Sequence, residues 1–277
     1  MTAEEIKKVN SLVPIKGKII KINQETSDTK TYTITDENGK KPFTPMPGQL
    51  GMLSIPNVGE AMFSITNQGE NSIDMAIKSV GTLTNALFDV EEGQECGIRG
   101  PYGNGFPLEK CKGRDILFIA GGIGLAPVRS LIMHCIKNRA DYGKLTVIYG
   151  ARSYSDLVFK EDILENWAKV DNMDVFVTID RGEECWKQHV GFVPSYVEEL
   201  NLPPTLTFVC GPPIMIKFTL QSLMKMGYNE DEVITTMEMR MKCGIGKCGR
   251  CNIGSCFVCL DGPVFTMREM NALPQEY

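Results

Sequence analysis

The sequence predicts an antiparallel β barrel, then an α/β domain with a doubly wound parallel sheet, then a short cysteine-rich segment. Two patterns support the first two parts. Short strand-like segments separated by turn residues fill the first part of the chain, and strand-like and helical segments alternate after Gly113. In addition, five of the ten cysteines lie within the seventeen residues from Cys243 to Cys259. We therefore place the three parts at residues 1–110, 111–236 and 237–277.

The barrel is predicted from six segments that carry β-branched or alternating apolar residues, as a half-buried strand requires. They are Gly17–Ile22, Lys30–Thr35, Gly51–Ile55, Ala61–Thr66, Ile73–Ser79 and Glu95–Arg99. Turn-forming runs such as Glu37-Asn38-Gly39 separate these segments, which favours antiparallel strands joined in sequence. Leu83–Phe88 is predicted to form a short helix over one end of the barrel.

The α/β domain begins with the buried-type strand Asp115–Ala120, which is followed by a glycine turn and a helix from Pro127 to Asn138. Later strands are predicted at Leu145–Tyr149, Asp174–Thr178, Thr207–Val209 and Val233–Thr236, and later helices at Phe159–Ala168, Val193–Leu200 and Ile214–Met226. The cysteine-rich segment that follows has too few apolar residues to predict a core of its own.

Composition excludes several classes of function. The formal net charge is −5 and no run of lysine or arginine occurs, so we expect no nucleic-acid partner. No apolar stretch is long enough for a membrane span, and Met1–Lys16 lacks the pattern of a signal peptide, so we expect a cytoplasmic protein. His134 and His189 lie far apart, and neither Ser64 nor Ser153 has a plausible histidine partner for nucleophilic catalysis.

A dinucleotide site is indicated by two glycine turns that follow predicted strands. Gly121, Gly122 and Gly124 would let the backbone approach a pyrophosphate at the start of a helix, whose free N–H groups attract anions. The second turn is Cys210-Gly211-Pro212-Pro213. The first turn is not the G-x-G-x-x-G fingerprint, and tight packing alone would also explain its glycines. Together the turns favour a nucleotide, because ligands bind at the carboxyl ends of parallel strands.

The barrel carries a second candidate phosphate site. Gly81, Thr82 and Thr84 lie where a strand ends and the short helix begins, so N–H and O–H donors could meet a phosphate there. A plain helix N-cap explains the same residues equally well. Phe63-Ser64-Ile65 offers a ring for stacking and a hydroxyl donor, although an edge of the barrel core would also account for it.

The cysteine segment gives the most specific prediction. Cys243, Cys248, Cys251 and Cys259 have the spacing C-x4-C-x2-C-x7-C, and the first three match the loop of plant-type ferredoxins. A structural zinc site usually needs two C-x2-C hooks, and only one is present; a disulfide is disfavoured in the cytoplasm. An iron–sulfur cluster is therefore predicted. Cys256 is a fifth thiol in the loop, either a bystander or a substitute for Cys259.

The order of barrel, glycine-turn domain and cysteines resembles the ferredoxin–NADP reductase superfamily. Within it the chain is similar to electron-transfer subunits with a C-terminal [2Fe–2S] cluster: the sulfhydrogenase gamma subunit, the anaerobic sulfite reductase subunit and, more distantly, that of dihydroorotate dehydrogenase. The most specific stretches are Arg99–Pro107, Ala120–Pro127, Val209–Met215 and Met239–Phe265.

The resemblance implies cofactor positions. FAD would lie against Phe63, Ser64 and Ile65, with its phosphates near Gly81, Thr82 and Thr84. The nicotinamide cofactor would bind at Gly121, Gly122 and Gly124, with its nicotinamide near Cys210, Gly211 and Pro212. Arg152 would meet the adenosine ribose, where it could pair with the 2′-phosphate of NADP, contact NAD, or face solvent. The four cysteines would hold the [2Fe–2S] cluster.

One position departs from the superfamily pattern. Most members have an arginine two residues before the aromatic–serine pair, where it binds flavin phosphate, and Ala61 occupies that position here. The sulfhydrogenase-like branch is similar in lacking it, so FAD stays the expected flavin and FMN the alternative.

The function that the resemblance implies is electron transfer between NAD(P)H, FAD and the [2Fe–2S] cluster, to or from a partner oxidoreductase such as a hydrogenase or sulfite reductase. No side chain is expected to act as a general acid or base, because the cofactors carry the chemistry. The alternatives are a stand-alone reductase of a ferredoxin-type carrier and a redox-sensing module without catalysis.

Overall fold

The computed structural model describes residues 12–274. Most of Met1–Lys16, where no signal peptide is expected, lies outside the described residues. Within the described range, no helix combines the length and the apolar character needed to cross a membrane.

Six antiparallel strands close into a barrel in the order β1-β2-β5-β4-β3-β6, as the sequence predicts. They are β1 (Ile15–Thr26), β2 (Thr29–Asp36), β3 (Leu50–Ile55), β4 (Gly59–Gln68), β5 (Ile73–Lys78) and β6 (Glu95–Tyr102). Alternating side chains such as Tyr32 and Ile34 point inward and are fully buried. The predicted helix, α1 (Thr82–Phe88), packs its buried Leu87 against this core, and the Tyr32 hydroxyl donates a hydrogen bond of 2.8 Å to the Leu87 carbonyl.

The second part is a seven-stranded sheet of order β10-β9-β8-β7-β11-β12-β15. Its strands are β7 (Ile116–Gly121), β8 (Leu145–Ala151), β9 (Met173–Ile179), β10 (His189–Val190), β11 (Leu206–Cys210), β12 (Val233–Thr236) and β15 (Val264–Thr266). All neighbours pair in parallel except β12 and β15. Its helices are α2 (Leu108–Cys111), α3 (Leu125–Lys137), α4 (Val193–Leu200) and α5 (Pro213–Lys225).

The order of this sheet places its ligand edge. The chain starts in the middle at β7, runs outward through β8 and β9, and returns to the other side of β7 with β11. The crevice of a doubly wound sheet lies at the strand pair where the order reverses, on the side of the carboxyl ends. That pair is β7 and β11, and the two predicted glycine turns follow these two strands. The doubly wound fold is confirmed.

One predicted helix has a different form. Instead of an α-helix over Phe159–Ala168, the chain makes a π-turn at Asp162–Asn166 followed by a 3-10 turn at Trp167–Lys169. Phe159 has a φ of +52°, outside helical geometry, and its N–H donates to the Glu25 carboxylate instead. Trp167, the first residue after the π-turn, is buried at 2 % exposure.

The C-terminal segment contains β13 (Asn252–Ile253), β14 (Cys256–Phe257), α6 (Val258–Asp261) and α7 (Met267–Ala272). Contrary to expectation, it forms a small core, in which Cys251, Ile253, Val258, Cys259 and Phe265 are buried. Two of these residues are cysteines, whose thiols pack as small apolar groups. Strand β15 then adds to the edge of the large sheet, so the segment is continuous with the α/β domain.

Candidate nucleotide cleft and cysteine cluster site

A cleft of about 770 Å³ opens between the barrel and the carboxyl edge of the large sheet. From the sheet it is lined by Gly121, Gly122, Gly124, Arg152, Gly211 and Pro212, and from the barrel by Thr26, Asp28 and Lys78. The structure thus brings both predicted glycine turns to one cavity. Its size is ordinary for a small-molecule or cofactor site.

The glycines of the first turn serve two purposes. A Cβ at Gly124 would lie 2.5 Å from the Cα of Gly211, so close packing of the two turns requires glycine at this position. Gly122 has a φ of +53° and open space where a side chain would project, so it leaves the backbone accessible from the cleft. Close packing therefore explains the glycine at position 124, and access for a nucleotide explains the glycine at position 122 of the same loop.

Cys210 lies behind the cleft and does not line it. The thiol is 4 % exposed and its Sγ lies 2.9 Å from the Thr236 hydroxyl. Burial raises the pKa of Cys210 to about 12, so the thiol stays protonated near neutral pH. It can shape the end of the cleft that Gly211 and Pro212 line, but it is not a thiolate nucleophile.

The end of the cleft beside β8 is rich in carboxylates. Arg152 follows β8, and its guanidinium forms an ion pair of 2.6 Å with Asp156, which also accepts 2.8 Å from the Ser153 hydroxyl. Burial raises the pKa of Asp156, but these two hydrogen bonds outweigh it and hold the pKa below its usual value. Lys78 is likewise paired, at 2.9 Å, with Asp28. Both cations that line this end are thus already neutralised by carboxylates.

The predicted flavin residues lie on the barrel. Phe63 and Ser64 are half-buried on β4, whereas Ile65 is 2 % exposed and packs in the barrel core. Gly81 is exposed at the start of α1, and nothing lies within 4 Å of where its Cβ would be. The Thr84 hydroxyl accepts the N–H groups of Val80 and Gly81, each at 2.9 Å.

This geometry is compatible with both explanations of the Gly81–Thr84 turn. Thr84 acts as a local cap, because its hydroxyl is used within the turn. The first N–H groups of α1 nevertheless have no partner inside the helix, as at every helix start. The turn is open and exposed, three residues after the cleft residue Lys78, so it fits a phosphate group of a cofactor that extends from the cleft.

The cysteine loop directs its backbone amides at sulfur atoms. The Cys243 Sγ accepts N–H groups from Ile245, Lys247 and Cys248 at 3.2–3.4 Å, and the Cys259 Sγ accepts that of Gly246 at 3.2 Å. Amides arranged in this way stabilise thiolates and the sulfurs of an iron–sulfur cluster.

The pKa of Cys243 reflects this arrangement. Burial raises it, but the three backbone hydrogen bonds dominate and lower it to about 6, so the sulfur is suited to bind metal as a thiolate. Its side chain also contacts that of Cys248, and the Cys259 side chain contacts that of Cys251. The four predicted ligands therefore lie together, with Cys243 beside Cys248 and Cys259 beside Cys251, and Cys259 is also close enough to Cys243 for their charges to interact. Within residues 12–274, no three metal-binding side chains converge tightly enough to hold a single ion.

The fifth thiol lies close enough to Cys251 to interact with it, but its side-chain partner is a carboxylate and not a cysteine. Cys256 is half-buried on β14, where its side chain hydrogen-bonds to Asp261, and burial together with that carboxylate raises its pKa. Cys259 is fully buried beside Cys251. The geometry is thus better suited to Cys259 than to Cys256 as the fourth ligand.

Arg99 joins the cysteine loop to the barrel, a role that the sequence does not reveal. It is 6 % exposed and forms five hydrogen bonds, one for each guanidinium N–H. Two go to the Glu60 carboxylate and one to the Tyr102 hydroxyl, and two go to the carbonyls of Lys242 and Cys243, at 2.9 and 2.8 Å. In the sequence, Arg99 is notable only as the first residue of the stretch Arg99–Pro107. That stretch supports the family resemblance but assigns no role to Arg99.

Asn104, in the same stretch, holds the far side of the segment. Its side-chain amide donates to the carbonyls of Asp261 and Val264, at 3.0 and 2.8 Å, and its Oδ1 accepts the Val264 N–H at 2.9 Å. Two polar side chains from the barrel therefore fix the cysteine segment against the rest of the molecule.

Comparisons with known proteins agree with both halves of this site. A family model described as an oxidoreductase NAD-binding domain matches residues 118–221. Another, described as the iron–sulfur cluster binding domain of dihydroorotate dehydrogenase B, matches residues 238–271. The first range contains both glycine turns, and the second contains all four predicted cluster cysteines.

Solved structures share the fold at low identity. An NADH-dependent reduced ferredoxin–NADP oxidoreductase superposes with a TM-score of 0.75 at 22% identity, covering 93% of this chain and 89% of that one. A ferredoxin–NADP⁺ reductase from Neisseria gonorrhoeae, solved with bound FAD and NADP, gives a TM-score of 0.65 at 18% identity over 79% of this chain and 96% of that one. They support the arrangement of barrel and nucleotide domain.

Two relatives are similar over most of this chain and most of their own length. The sulfhydrogenase 1 gamma subunit of Pyrococcus furiosus is 35% identical over 93% of this chain and 92% of its own length. A probable electron-transfer subunit of dihydroorotate dehydrogenase B from Pyrococcus abyssi is 36% identical over 82% of this chain and 81% of its own. The chain therefore belongs to the ferredoxin–NADP reductase superfamily, in the branch of oxidoreductase subunits that contains these two kinds of protein.

Proposed function

We propose that this protein is an electron-transfer flavoprotein subunit that passes electrons between NAD(P)H, FAD and a [2Fe–2S] cluster, to or from a partner oxidoreductase. The observation that carries the proposal is the paired arrangement of Cys243 with Cys248 and of Cys251 with Cys259, with backbone amides directed at the sulfurs. Residues 1–110 would hold the flavin, 111–236 the nicotinamide cofactor and 237–277 the cluster.

The pairing favours a [2Fe–2S] cluster over a mononuclear zinc site. In a binuclear cluster each iron takes two cysteines, so the four sulfurs divide into two pairs on opposite sides of the inorganic sulfides. A structural zinc ion instead draws all four sulfurs to one centre. All ten cysteines are free thiols in the structure, which is compatible with a reducing compartment such as the cytoplasm.

The residues of the barrel and the sheet would bind and orient the two nucleotide cofactors. Gly121, Gly122 and Gly124 would meet the dinucleotide pyrophosphate, with Gly211 and Pro212 beside the nicotinamide. Phe63 and Ser64 would bind the flavin, and the turn at Gly81–Thr84 its phosphates. Bound FAD would supply the chemistry that connects a two-electron hydride donor to a one-electron carrier. No protein side chain is needed as a general acid or base.

NADH is the nicotinamide cofactor that the cleft fits better. In doubly wound sheets the residues after the second strand of the unit contact the adenosine ribose, and here these are Arg152 and its neighbours. A 2′-phosphate would need a free cation, but Arg152 is already paired with Asp156. Asp28 and Asp180 also line this end of the cleft, and they would repel a phosphate dianion.

The partner is proposed from the relatives. Proteins named as sulfhydrogenase gamma subunits and as dihydroorotate dehydrogenase electron-transfer subunits are parts of larger oxidoreductases by their names. We infer that this chain serves a catalytic subunit of similar kind, hydrogenase-like or sulfite-reductase-like.

Anaerobic purification followed by absorption spectroscopy tests the proposal. We expect flavin bands together with iron–sulfur absorption, about two irons per chain, and bleaching of both on addition of NADH. A colourless protein that contains zinc would contradict the proposal. Loaded protein that binds NADH without becoming reduced would favour the redox-sensing alternative.

A further inference from the structure

The stretch Met239–Leu260 has a charge opposite to that of the whole chain. It contains four cations and no carboxylate, although the formal net charge of the protein is −5. The cations are Arg240, Lys242, Lys247 and Arg250, and we refer to them as the basic rim. They flank three of the four predicted cluster ligands along the chain.

The basic rim has no carboxylate partner in the part of the chain that the structure describes. All four side chains are exposed, and none of them takes part in an ion pair between residues 12 and 274. Among the exposed arginines outside the rim, Arg152 and Arg268 are held by nearby aspartates, whereas Arg181 has no ion pair within the described residues. Exposed lysines elsewhere, such as Lys18 and Lys21, are also without an ion pair, but within residues 12–274 only the rim places four unpaired cations in eleven residues with no carboxylate between them.

Two rim residues lie next to the most exposed predicted cluster ligand along the chain. Cys248 is exposed, whereas Cys251 and Cys259 are at most 1 % exposed. Lys247 precedes Cys248 and Arg250 follows it by two residues. Leu260, 51 % exposed, lies over Gly246 of the same loop and adds an apolar contact beside the charges. An electron that leaves through Cys248 would therefore cross a cationic surface with an apolar element beside it.

The rim is also held in position. Arg99 fixes the backbone at Lys242 and Cys243 through the two carbonyls described above. The Lys247 and Cys248 amides are directed at the Cys243 sulfur, at 3.2 and 3.4 Å, so the loop between the cations has little freedom to rearrange. Charges presented on a fixed backbone give a defined potential, which steers the approach of a partner of opposite charge.

We propose that the basic rim is the docking surface for a redox protein that presents an acidic face, with Cys248 at the centre of the contact. This inference rests on the proposed function only in taking the cysteines as cluster ligands. On contact, one electron passes between the reduced cluster and the oxidised partner, and no bond or proton is transferred. Charges at the edge of an interface mainly set the association rate and its dependence on salt.

The test compares two double variants that change the net charge equally. Arg240→Glu with Arg250→Glu reverses two rim charges, and Lys18→Glu with Lys21→Glu reverses two exposed charges on strand β1 of the barrel. The probes are an acidic [2Fe–2S] ferredoxin and the basic carrier cytochrome c. Binding of each to the holoprotein is measured at about 20 mM and about 300 mM salt, where the screening length differs severalfold.

We expect the wild type to bind the acidic ferredoxin at low salt and to lose at least about tenfold in affinity at high salt. At low salt, the affinity of the rim variant for the ferredoxin should be lower than that of the wild type by a similar factor. The affinity of the barrel variant should equal that of the wild type. Cytochrome c should not be bound by the wild type. Equal losses of ferredoxin affinity in the two variants would overturn the docking surface. Ferredoxin binding that depends neither on the salt concentration nor on the rim charges would overturn it as well.

A second readout separates docking from a purely local electrostatic role. If the cations only offset the charge of the cluster, the rim variant would lower the cluster's reduction potential while ferredoxin binding stayed unchanged, and the proposal would fail. Absorption of the cluster and its reduction by dithionite establish that each variant is loaded. Absence of NADH reduction in a loaded wild type would count against the proposed function alone, because the binding test does not use NADH.

Discussion

Two glycine-rich loops form this molecule's candidate sites, and they use glycine for different reasons. In the nucleotide turn, Gly124 is required because the neighbouring turn lies against it, so that a Cβ there would come within 2.5 Å of the Gly211 Cα. In the cysteine loop, Gly244 and Gly246 have φ values of +76° and +68°, which side chains rarely adopt. The first loop brings two backbones together, and the second turns N–H groups towards sulfur.

The loops also differ in what holds them. The nucleotide turn extends from β7 and β11, two adjacent and fully buried strands, so the sheet's own hydrogen bonds position it. The cysteine loop has little regular structure: Arg99 attaches its start to the barrel, and Asn104 attaches the later part of the same segment, at Asp261 and Val264. A site carried by a sheet should tolerate loss of a single side chain, whereas a site held by two side chains should not.

The largest expected effect follows from removing the side chain that holds the cysteine loop. Arg99→Met would leave the carbonyls of Lys242 and Cys243 without their buried donor, at a cost of about 1–3 kcal/mol for each buried acceptor left unsatisfied, whereas the Glu60 carboxylate is 36% exposed and can be hydrated by solvent. We expect less than half of the wild-type iron per chain and a lower free energy of unfolding. Chemical denaturation and iron analysis measure both.

Arg99→Lys provides the control for charge. It keeps a cation but cannot make five hydrogen bonds in a fixed plane, so an intermediate iron content is expected. Full cluster loading in Arg99→Met would contradict the role of Arg99 in holding the loop.

A substitution in the nucleotide turn should affect only the other site. Gly124→Ala places a methyl group against backbone atoms of Cys210 and Gly211, so the turn must shift, at a cost of about 1–3 kcal/mol. We expect the KM for NADH to rise about tenfold while cluster absorption stays unchanged. Gly182→Ala, which meets only ordinary contacts with Val190, is the matched control. Loss of iron in Gly124→Ala would show that the two loops are not independent.

The paired charges of the cleft predict a smaller effect on cofactor choice. Asp156→Asn would release Arg152 to meet a 2′-phosphate, and a charge-assisted hydrogen bond of this kind is worth about 1–2 kcal/mol. The ratio of kcat/KM for NADPH over NADH should rise about tenfold. Asp174→Asn, which removes the ion pair with Lys144 at the start of β9, should leave the ratio unchanged. A wild type that prefers NADPH would contradict the assignment.

The smallest expected effect is on how the stability of the fold depends on pH. The pKa of Asp156 is lowered in the folded protein, so its carboxylate stabilises the fold above its ordinary pKa of 3.8, and this contribution is lost as the pH falls below that value. Arg152 is exposed, so solvent screening keeps the contribution under about 1 kcal/mol. Thermal unfolding between pH 3 and 6 should therefore show a slightly weaker pH dependence in Asp156→Asn; a steeper one would contradict the pairing.

The same contrast explains what the sequence could predict. Barrel strands, glycine turns and the cysteine spacing are local patterns, and the structure bears out the barrel and the doubly wound sheet. Arg99 could not be assigned a role, because its partners lie 39 and 143 residues away. Phe159, which precedes the π-turn at Asp162–Asn166, donates its N–H to Glu25 in the barrel, again a contact of long range. Which of Cys256 and Cys259 approaches Cys251 likewise depends on the folded hairpin.

The central claim is that two pairs of cysteines hold a [2Fe–2S] cluster that NADH reduces. Electron paramagnetic resonance of anaerobically purified, NADH-reduced protein tests it most directly, with Cys256→Ser and Cys259→Ser compared with the wild type. We expect the signal of one unpaired electron per reduced cluster in the wild type and in Cys256→Ser, and its loss or alteration in Cys259→Ser. A signal that survives in Cys259→Ser and disappears in Cys256→Ser, or a wild type without any signal, would contradict the claim.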